Sequence, residues 1–321
     1  MTYSSGGLIQ ATDYNGFVST TVGANVNATW NSTYGQTALS TVSTAGTVTA
    51  TQWASLVNTV TNMAAHQPTT ITARAAPTTG TTISVLAAVN TDITNCFTNR
   101  YNAYAQGAQF TGWTGTDAKT AATSGASWTI TFTNTVTFAN ATAATNFFNS
   151  GGTVKIDVSK TATGALGDPE WNDLANTLCG DIYISGLATS HTIAGTPYTG
   201  ATKIGGTGTP TTLSTGTGFD ALVAGAGGTI VYKQFADTAP YTSNFIQHTI
   251  AKGASSDTLV ITTLWSANDA GPGVTDPISG GTAPSGATPG TAPCTIVTYY
   301  PPESTYLTNT WGTPTVAATT V

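Results

Sequence analysis

Hydrophobic and polar positions alternate most regularly between residues 128 and 138. Every second position there is apolar, with Asn134 as the exception, and a threonine occupies each position in between. Because successive side chains of a strand point to opposite sides, the pattern predicts a strand with one apolar side and one hydroxyl side. The hydroxyl side comprises Thr129, Thr131, Thr133, Thr135 and Thr137. This row is either ordinary solvated surface or a contact with another subunit, and the low charge of the chain favours a contact.

The residues that follow this strand complete a compact unit. A short Ala/Asn/Thr-rich helix carrying Phe147 and Phe148 is predicted next, and Gly151 and Gly152 turn the chain into a second alternating run at 154–158. The order strand, short helix, glycine turn, strand is typical of a structural building unit, and no residue in it suggests catalysis.

The N-terminal third of the chain has a helical pattern. Apolar residues recur at three- and four-residue steps and predict helices over residues 11–30, 49–66 and roughly 82–104, with a turn-rich connector at 69–82. Threonine is a mediocre helix former, so packing against other parts of the protein or against another subunit must stabilise these helices. We therefore interpret residues 1–106 as a helical docking or oligomerisation region.

Residues 107–321 have the pattern of a β-rich domain. A helix begins at Asp168, with Trp171 in its apolar stripe, and ends at Gly180. We predict at least seven strands in all, separated by turn residues, and a Gly/Pro-rich loop at about 270–293. Beyond those already described, the strands lie at 181–187, 229–235, 244–252, 258–265 and 294–302. The expected fold class is α+β, with an N-terminal helical segment followed by a mainly antiparallel β-sandwich with short helices.

Composition narrows the class of function. Only 7% of the 321 residues are charged, against roughly 25% in an average soluble protein. Structural proteins of virions, S-layers and secreted adhesins have such compositions, whereas metabolic enzymes rarely do. The net charge of −6 and the scattered basic residues argue against nucleic-acid binding. We also expect no secretory signal, because the N-terminus lacks its basic and apolar regions, and no membrane insertion.

Several segments resemble a family of tailed-bacteriophage virion structural proteins that is common in phages of cyanobacteria and other aquatic bacteria. The similar segments are YSSGGLIQATDYNGFV at 3–18, YGQT at 34–37, VTATQWASLV at 48–57, HQPTTIT at 66–72, FANATAATNFFNSGGTVKIDVS at 138–159, the W-x-x-L of Trp171 and Leu174, and YTSNFIQHTIAKGASSDTLVITTLWSAND at 241–269. The chain departs from the family after KIDVS, where relatives tend to carry an Arg/Ser-rich run and this chain reads TATGALGD. These are packing motifs, so they indicate a relative and not an activity.

The resemblance implies a structural component of the particle, associated with the tail, the neck or a fibre. It implies partnership with other virion proteins and with copies of the chain itself as a homo-oligomer. The implied location is the virion, assembled in the cytoplasm of the host bacterium.

Two acidic groups are candidates for chemistry. Asp168, Glu170 and Asp173 could act as paired carboxylates in acid–base catalysis, but their spacing is the one that a helix N-terminus favours, so we interpret them as capping residues. Asp269 and Asp276 could ligate Ca²⁺ together with nearby loop oxygens. They lack the regular spacing of a dedicated calcium loop, so an ordinary loop is the preferred interpretation.

The remaining candidates also suggest structure and not chemistry. His66, His191 and His248 lie far apart, which does not favour a zinc site; His66 suits a helix C-terminus and His248 a buried strand position. The glycine runs at 205–210 and 225–228 lack the context of a phosphate-binding loop. The three cysteines, widely spaced, are expected to be buried free thiols, and the Asn-x-Thr sequons are expected by chance. These cysteines and sequon asparagines are Cys96, Cys179, Cys294, Asn27, Asn31 and Asn140.

We therefore predict no catalytic, cofactor-binding or metal-binding residues, no cofactor and no enzymatic activity. The first hypothesis is a virion structural protein that acts by protein–protein assembly. The alternative is an adhesin that binds host-surface glycan through exposed aromatic residues and the loops at 205–228 and 269–293. A third alternative, a glycan-degrading enzyme, is disfavoured because no acidic pair is evident outside the predicted helix cap.

Overall fold

The computed structural model describes residues 10–20, 23–78, 86–109, 117–118, 128–160, 168–239, 241–268 and 294–320. The helices are α1 Ala11–Val18, α2 Val26–Trp30, α3 Ala50–His66, α4 Leu86–Thr98, α5 Ala141–Asn149 and α6 Asp168–Asp173. The last of these continues as a π-helical segment, Leu174–Cys179, and a 3₁₀ turn lies at Phe219–Ala221.

The strands are mostly short. They are β1 Asp117–Ala118, β2 Trp128–Thr137, β3 Thr153–Ser159, β4 Asp181–Ile184, β5 His191–Ile193, β6 Thr196–Tyr198, β7 Ala201–Ile204, β8 Thr212–Leu213, β9 Thr229–Phe235, β10 Phe245–Lys252, β11 Thr258–Ala267, β12 Cys294–Tyr300 and β13 Thr315–Thr320.

Two antiparallel sheets form the body of the protein. One has the strand order β1-β12-β3-β4-β7, the other has the order β13-β2-β11-β10-β9-β8, and β5 and β6 form a separate hairpin. Apolar side chains of both sheets and of the helices belong to one buried cluster, in which Trp171 stacks on Trp265 with ring centroids 5.7 Å apart. The predicted α+β class, with an antiparallel sandwich and short helices, is confirmed.

The predicted strand–helix–glycine–strand unit is present. Strand β2 lies between β11 and β13, and its apolar positions Ile130, Phe132 and Val136 are buried in the core. Helix α5 begins where the side chain of Asn140 accepts a hydrogen bond from the backbone of Ala143, at 2.9 Å. Gly151 then adopts a φ of 96°, which a side chain would oppose, and the chain enters β3.

Two of the predicted helices differ from the structure in extent. The helix predicted over 11–30 is divided into α1 and α2, because Gly23 has a positive φ and the side chain of Asn25 caps a new helix at Ala28. Helix α4 ends at Thr98 and does not reach residue 104. The helix predicted over 49–66 is confirmed as α3, with a capping box between Thr49 and Gln52.

Several strands were not predicted. The region between 188 and 228 contains β5 to β8, and the C-terminal tail, which has no evident periodicity, forms β13 beside β2. Trp311 in that tail is buried. Strands of two to four residues are too short to produce a recognisable alternation, so tertiary pairing and not the local pattern defines them. The loop predicted at about 270–293 lies outside the described residues.

The N-terminal helical region contacts the segment that precedes β13. The side chain of Gln36 exchanges hydrogen bonds with the backbone of Thr308, at 2.8 and 2.9 Å, and Thr310 Oγ1 donates to the carbonyl of Tyr34. Residues of α1 to α4 belong to the same buried cluster as the sheets. The division of the chain at residue 106 stays a prediction.

Asn134 occupies an inward position of β2 and is completely buried. Neither its side-chain oxygen nor its nitrogen has a hydrogen-bond partner among the described residues. A buried amide without partners loses the hydrogen bonds that it makes with water in the unfolded chain, so it costs folding free energy.

We expect Asn134→Val to increase the free energy of unfolding by about 1–3 kcal/mol, since it removes the unpaired amide at nearly constant volume. The measurement is urea unfolding followed by tryptophan fluorescence. Thr135→Val, at the next position but on the outer side of the same strand, is the matched control and should change the value by less than about 0.5 kcal/mol. A variant at Asn134 no more stable than the wild type would contradict this account.

Candidate functional site: the outer faces of the two sheets

The predicted row of threonines lies on the outer side of β2. Thr129 and Thr137 are exposed, and Thr131, Thr133 and Thr135 are half-buried. Because β2 is paired along its length with β11 and over much of it with β13, its backbone is engaged within the sheet. What it presents outward is therefore a line of hydroxyl and methyl groups.

Neighbouring strands extend this surface. Residues paired directly across antiparallel strands point to the same side, so the register defines one continuous face. We call it the threonine face; besides the β2 row it comprises Ile230, Lys233, Phe235, Phe245, Gln247, Thr249, Ala251, Thr258, Val260, Thr262, Leu264, Ser266, Thr315, Ala317 and Thr319.

The threonine face carries almost no charge. Lys233 is the one charged residue at its positions, and its ammonium group lies over the rings of Phe235 and Phe245, 4.6 and 3.7 Å from their centroids. The one charged side chain of the face is therefore engaged in cation–π contacts. Hydroxyls, methyls and scattered apolar side chains form the remainder.

The lateral ends of the two sheets meet. Strand β1 lies beside β13 at one side of the sandwich, and β7 lies beside β8 at the other. At the second junction the backbone N–H of Ala201 donates to the carbonyl of Ser214, at 3.4 Å. The protein thus offers broad faces for contact more than long unpaired edges.

The outer face of the five-stranded sheet has the opposite character. Lys155 Nζ lies 3.6 Å from Asp157 Oδ2 and 3.5 Å from Asp181 Oδ2. Burial lowers the pKa of Lys155, but the two carboxylates outweigh it and raise that pKa overall. Burial and the charge of Asp181 raise the pKa of Asp157.

Three tyrosines surround this charged group. The ring of Tyr183 lies 5.6 Å from that of Tyr198 and 6.1 Å from that of Tyr300. The hydroxyl of Tyr300 donates to Gln109 Oε1, at 3.0 Å. Burial raises the pKa values of Tyr183 and Tyr198, so both phenols stay protonated and can donate hydrogen bonds. We call this group of six residues the tyrosine–carboxylate patch.

The patch was not predicted from the sequence, and it corrects one expectation about the acidic residues. Asp157 and Asp181 form an acidic pair outside any helix cap, contrary to the expectation that none exists. They lie on strands that are adjacent only through tertiary pairing, so their spacing along the chain gives no indication of it. The alternation that places Lys155 and Asp157 on one side of β3 is the one signal that sequence offers.

The structure brings the acidic residues of α6 together with a third carboxylate. One carboxylate oxygen from each of Glu170, Asp173 and Asp237 lies within 4.8 Å of the other two. Asp168 begins the helix. Asp269, Asp276 and their loop lie outside the described residues.

The three histidines are buried in separate environments. His191 is buried and its Nδ1 donates to the carbonyl of Thr189, at 2.9 Å, while His248 shares a hydrogen bond of the same length with Thr263 Oγ1. His66 is completely buried, and neither ring nitrogen has a hydrogen-bond partner of ordinary geometry among the described residues. Burial lowers the pKa of His66 to about 4 and that of His248 to about 3.

The sequon asparagines and two of the cysteines have structural environments. Asn27 exchanges two hydrogen bonds with the backbone of Leu39, Asn31 donates to the carbonyl of Gln36, and Asn140 caps α5. Cys96 and Cys179 are buried free thiols, and the side chain of Cys294 lies outside the described set.

Comparisons with known proteins give no relative: the chain matches no protein-family model, no curated protein and no solved structure. Among the described residues, no helix is both long and apolar enough to cross a membrane.

The buried histidines predict a loss of stability in mild acid. An imidazole whose pKa is lowered by folding binds a proton more tightly in the unfolded chain. Its contribution to the stability of the folded protein is therefore complete above pH 6.5 and is lost as the pH falls toward about 4. Within that pH window, each such histidine lowers the free energy of unfolding by at most about 1.4 kcal/mol per pH unit. We expect the free energy of unfolding, measured in urea between pH 7 and 5, to fall with a slope that His66→Gln makes shallower. An unchanged slope would contradict the assignment, whatever the absolute stability of the variant.

Proposed function

We propose that this chain is a structural component of a bacteriophage virion, that it acts by protein–protein assembly, and that copies of it contact one another through the threonine face. The observation that carries the proposal is the extent and near neutrality of that face. The resemblance to tailed-phage virion proteins and the low charge of the whole chain support it. The proposal assigns no enzymatic activity and no cofactor, and it places the protein in the tail, the neck or a fibre.

Desolvation favours such a contact. Removing charged groups from water is costly, whereas hydroxyl groups can exchange water for hydrogen bonds with a partner and their methyl groups gain from burial. Lys233 is already held over two aromatic rings. Two copies related by a two-fold axis would therefore bring together surfaces without strong charge repulsion.

The size of the face suits a stable interface. Strand β2 has 10 residues, which gives a length of about 33 Å, and five strands about 4.8 Å apart give a width of about 24 Å. The product is at most about 800 Å² on each partner, the area typical of specific protein–protein contacts. Other virion proteins are further proposed partners, through surfaces that include the N-terminal helical region.

Thr133→Lys is the test of the contact. It places a charge at the centre of the face, so we expect the wild type to self-associate in sedimentation velocity and the variant to do so at least tenfold more weakly. Thr192→Lys, an exposed threonine on the β5–β6 hairpin, is the matched control and should leave association unchanged. Circular dichroism confirms that both variants fold.

The particle itself tests the larger proposal. Mass spectrometry of purified phage should find the chain among the virion proteins, and a reconstruction should place the threonine face against another copy. A wild-type monomer at all concentrations, absent from particles, would overturn the proposal.

The tyrosine–carboxylate patch favours a second candidate function, binding of a host-surface glycan. Tyr198 is buried, so the rings available to a ligand are those of Tyr183 and Tyr300. Aromatic faces combined with carboxylate and phenol groups suit the apolar faces and hydroxyls of sugar rings. The patch lies on the sheet opposite the threonine face, so the two functions are compatible in one assembled protein.

For glycan binding, Tyr183→Ala should weaken the affinity for purified host polysaccharide about tenfold in isothermal titration calorimetry, because it removes the ring at the centre of the patch. Tyr306→Ala is the matched control, since that ring packs on Tyr104 and is not one of the patch residues. Equal affinity of both variants and the wild type, or no heat with any of them, would remove this candidate.

A further inference from the structure

Three carboxylates converge between α6 and the end of β9. Glu170 and Asp173 are three residues apart on α6 and so share one side of the helix, while Asp237 follows β9. One oxygen from each lies within 4.8 Å of the other two. Among the residues that the structure describes, no other group of three or more metal-ligating side chains comes together in this way.

An independent observation is a buried carboxylate oxygen of this group that lacks a partner. Glu170 is only 9% exposed, and its Oε1 has no hydrogen-bond partner among the described residues. The ion pairs found among the described residues involve other carboxylates, Asp92, Asp157 and Asp181. A buried carboxylate oxygen is costly unless a proton or a cation compensates it.

The electrostatic setting is consistent with this need. Burial raises the pKa of Glu170, the charges of Asp237 and Asp173 raise it further, and hydrogen bonding from Thr238 lowers it in part. A divalent cation would satisfy the unpaired oxygen and remove the repulsion among the three charges at once.

We propose that Glu170, Asp173 and Asp237 form a binding site for a divalent cation, with Ca²⁺ as the preferred ion. Three carboxylates without histidine or cysteine are the donor set of hard cations and not of zinc. Asp237 is exposed, which leaves room for water ligands and a path of entry. Ca²⁺ accepts six to eight oxygens in irregular arrangements, whereas Mg²⁺ demands a near-octahedral set.

The bound ion would join α6 to the turn that follows β9. Trp171, the neighbour of Glu170, is buried and stacks on Trp265 of β11, so the site lies beside the core of the six-stranded sheet. The ion would thus stabilise the sandwich, and this inference does not depend on the proposed virion function.

Thermal unfolding and terbium luminescence test the site. After treatment with EDTA, the wild-type protein should unfold at a higher temperature when CaCl₂ is added, and less so with MgCl₂, because an ion that binds only the folded state stabilises it. TbCl₃ should give emission when tryptophan is excited, through Trp171, and CaCl₂ should displace it.

Asp237→Asn is the informative variant, since an exposed side chain can be changed without unfolding the protein. Without metal, it should unfold at the same temperature as the wild type or higher, because one repulsive charge is gone. With CaCl₂ it should gain little, and its affinity for Tb³⁺ should fall at least tenfold. Asp157→Asn, on the other sheet, is the control and should respond to CaCl₂ as the wild type does.

A wild-type protein whose unfolding temperature is unchanged at millimolar CaCl₂, and which gives no sensitised Tb³⁺ emission, would overturn the proposal. So would an Asp237→Asn variant with the full wild-type response to both ions.

Discussion

Five aromatic rings around α5 hold the two sheets of the sandwich together. Phe138, directly after β2, lies 5.1 Å from Phe147, and Phe147 lies 6.0 Å from Tyr299 of β12. Phe148 stacks on Phe219 at 4.6 Å. The turn from α5 to β3 passes close to these rings and requires a glycine. A Cβ on residue 152 would lie 2.6 Å from the Phe147 ring, and Gly152 has none. The cluster thus links the end of β2 in one sheet to β12 in the other.

The parts of the fold that could be predicted from the sequence are those with a regular local pattern. The alternation of β2, the three- and four-residue apolar spacing of α3 and the apolar spacing around Trp171 led to the correct elements and class. The short strands β5 to β8 could not be predicted, because two to four residues carry no period. The division between α1 and α2 depends on Gly23 and Asn25. The apolar periodicity continues across both residues and so predicts a single helix.

The candidate sites were less predictable than the fold, for a physical reason. Lys155 and Asp181 meet through the pairing of β3 with β4, and Asp237 reaches Glu170 through the packing of α6. Such contacts depend on sheet register and helix placement, which spacing along one sequence does not encode. The threonine row is the exception, since one strand alone displays it.

Charge placement gives the two faces of the sandwich different capacities. The chain has 14 acidic and 8 basic residues, yet the threonine face contains only Lys233, and the opposite sheet carries Lys155, Asp157 and Asp181. Contact between copies removes water from a surface at the least cost where charge is absent. A face with ionised groups and the half-buried phenols of Tyr183 and Tyr300 remains stable in contact with solvent, where it can bind polar ligands. In the proposed assembly, therefore, the six-stranded sheet faces a neighbouring copy and the five-stranded sheet faces outward.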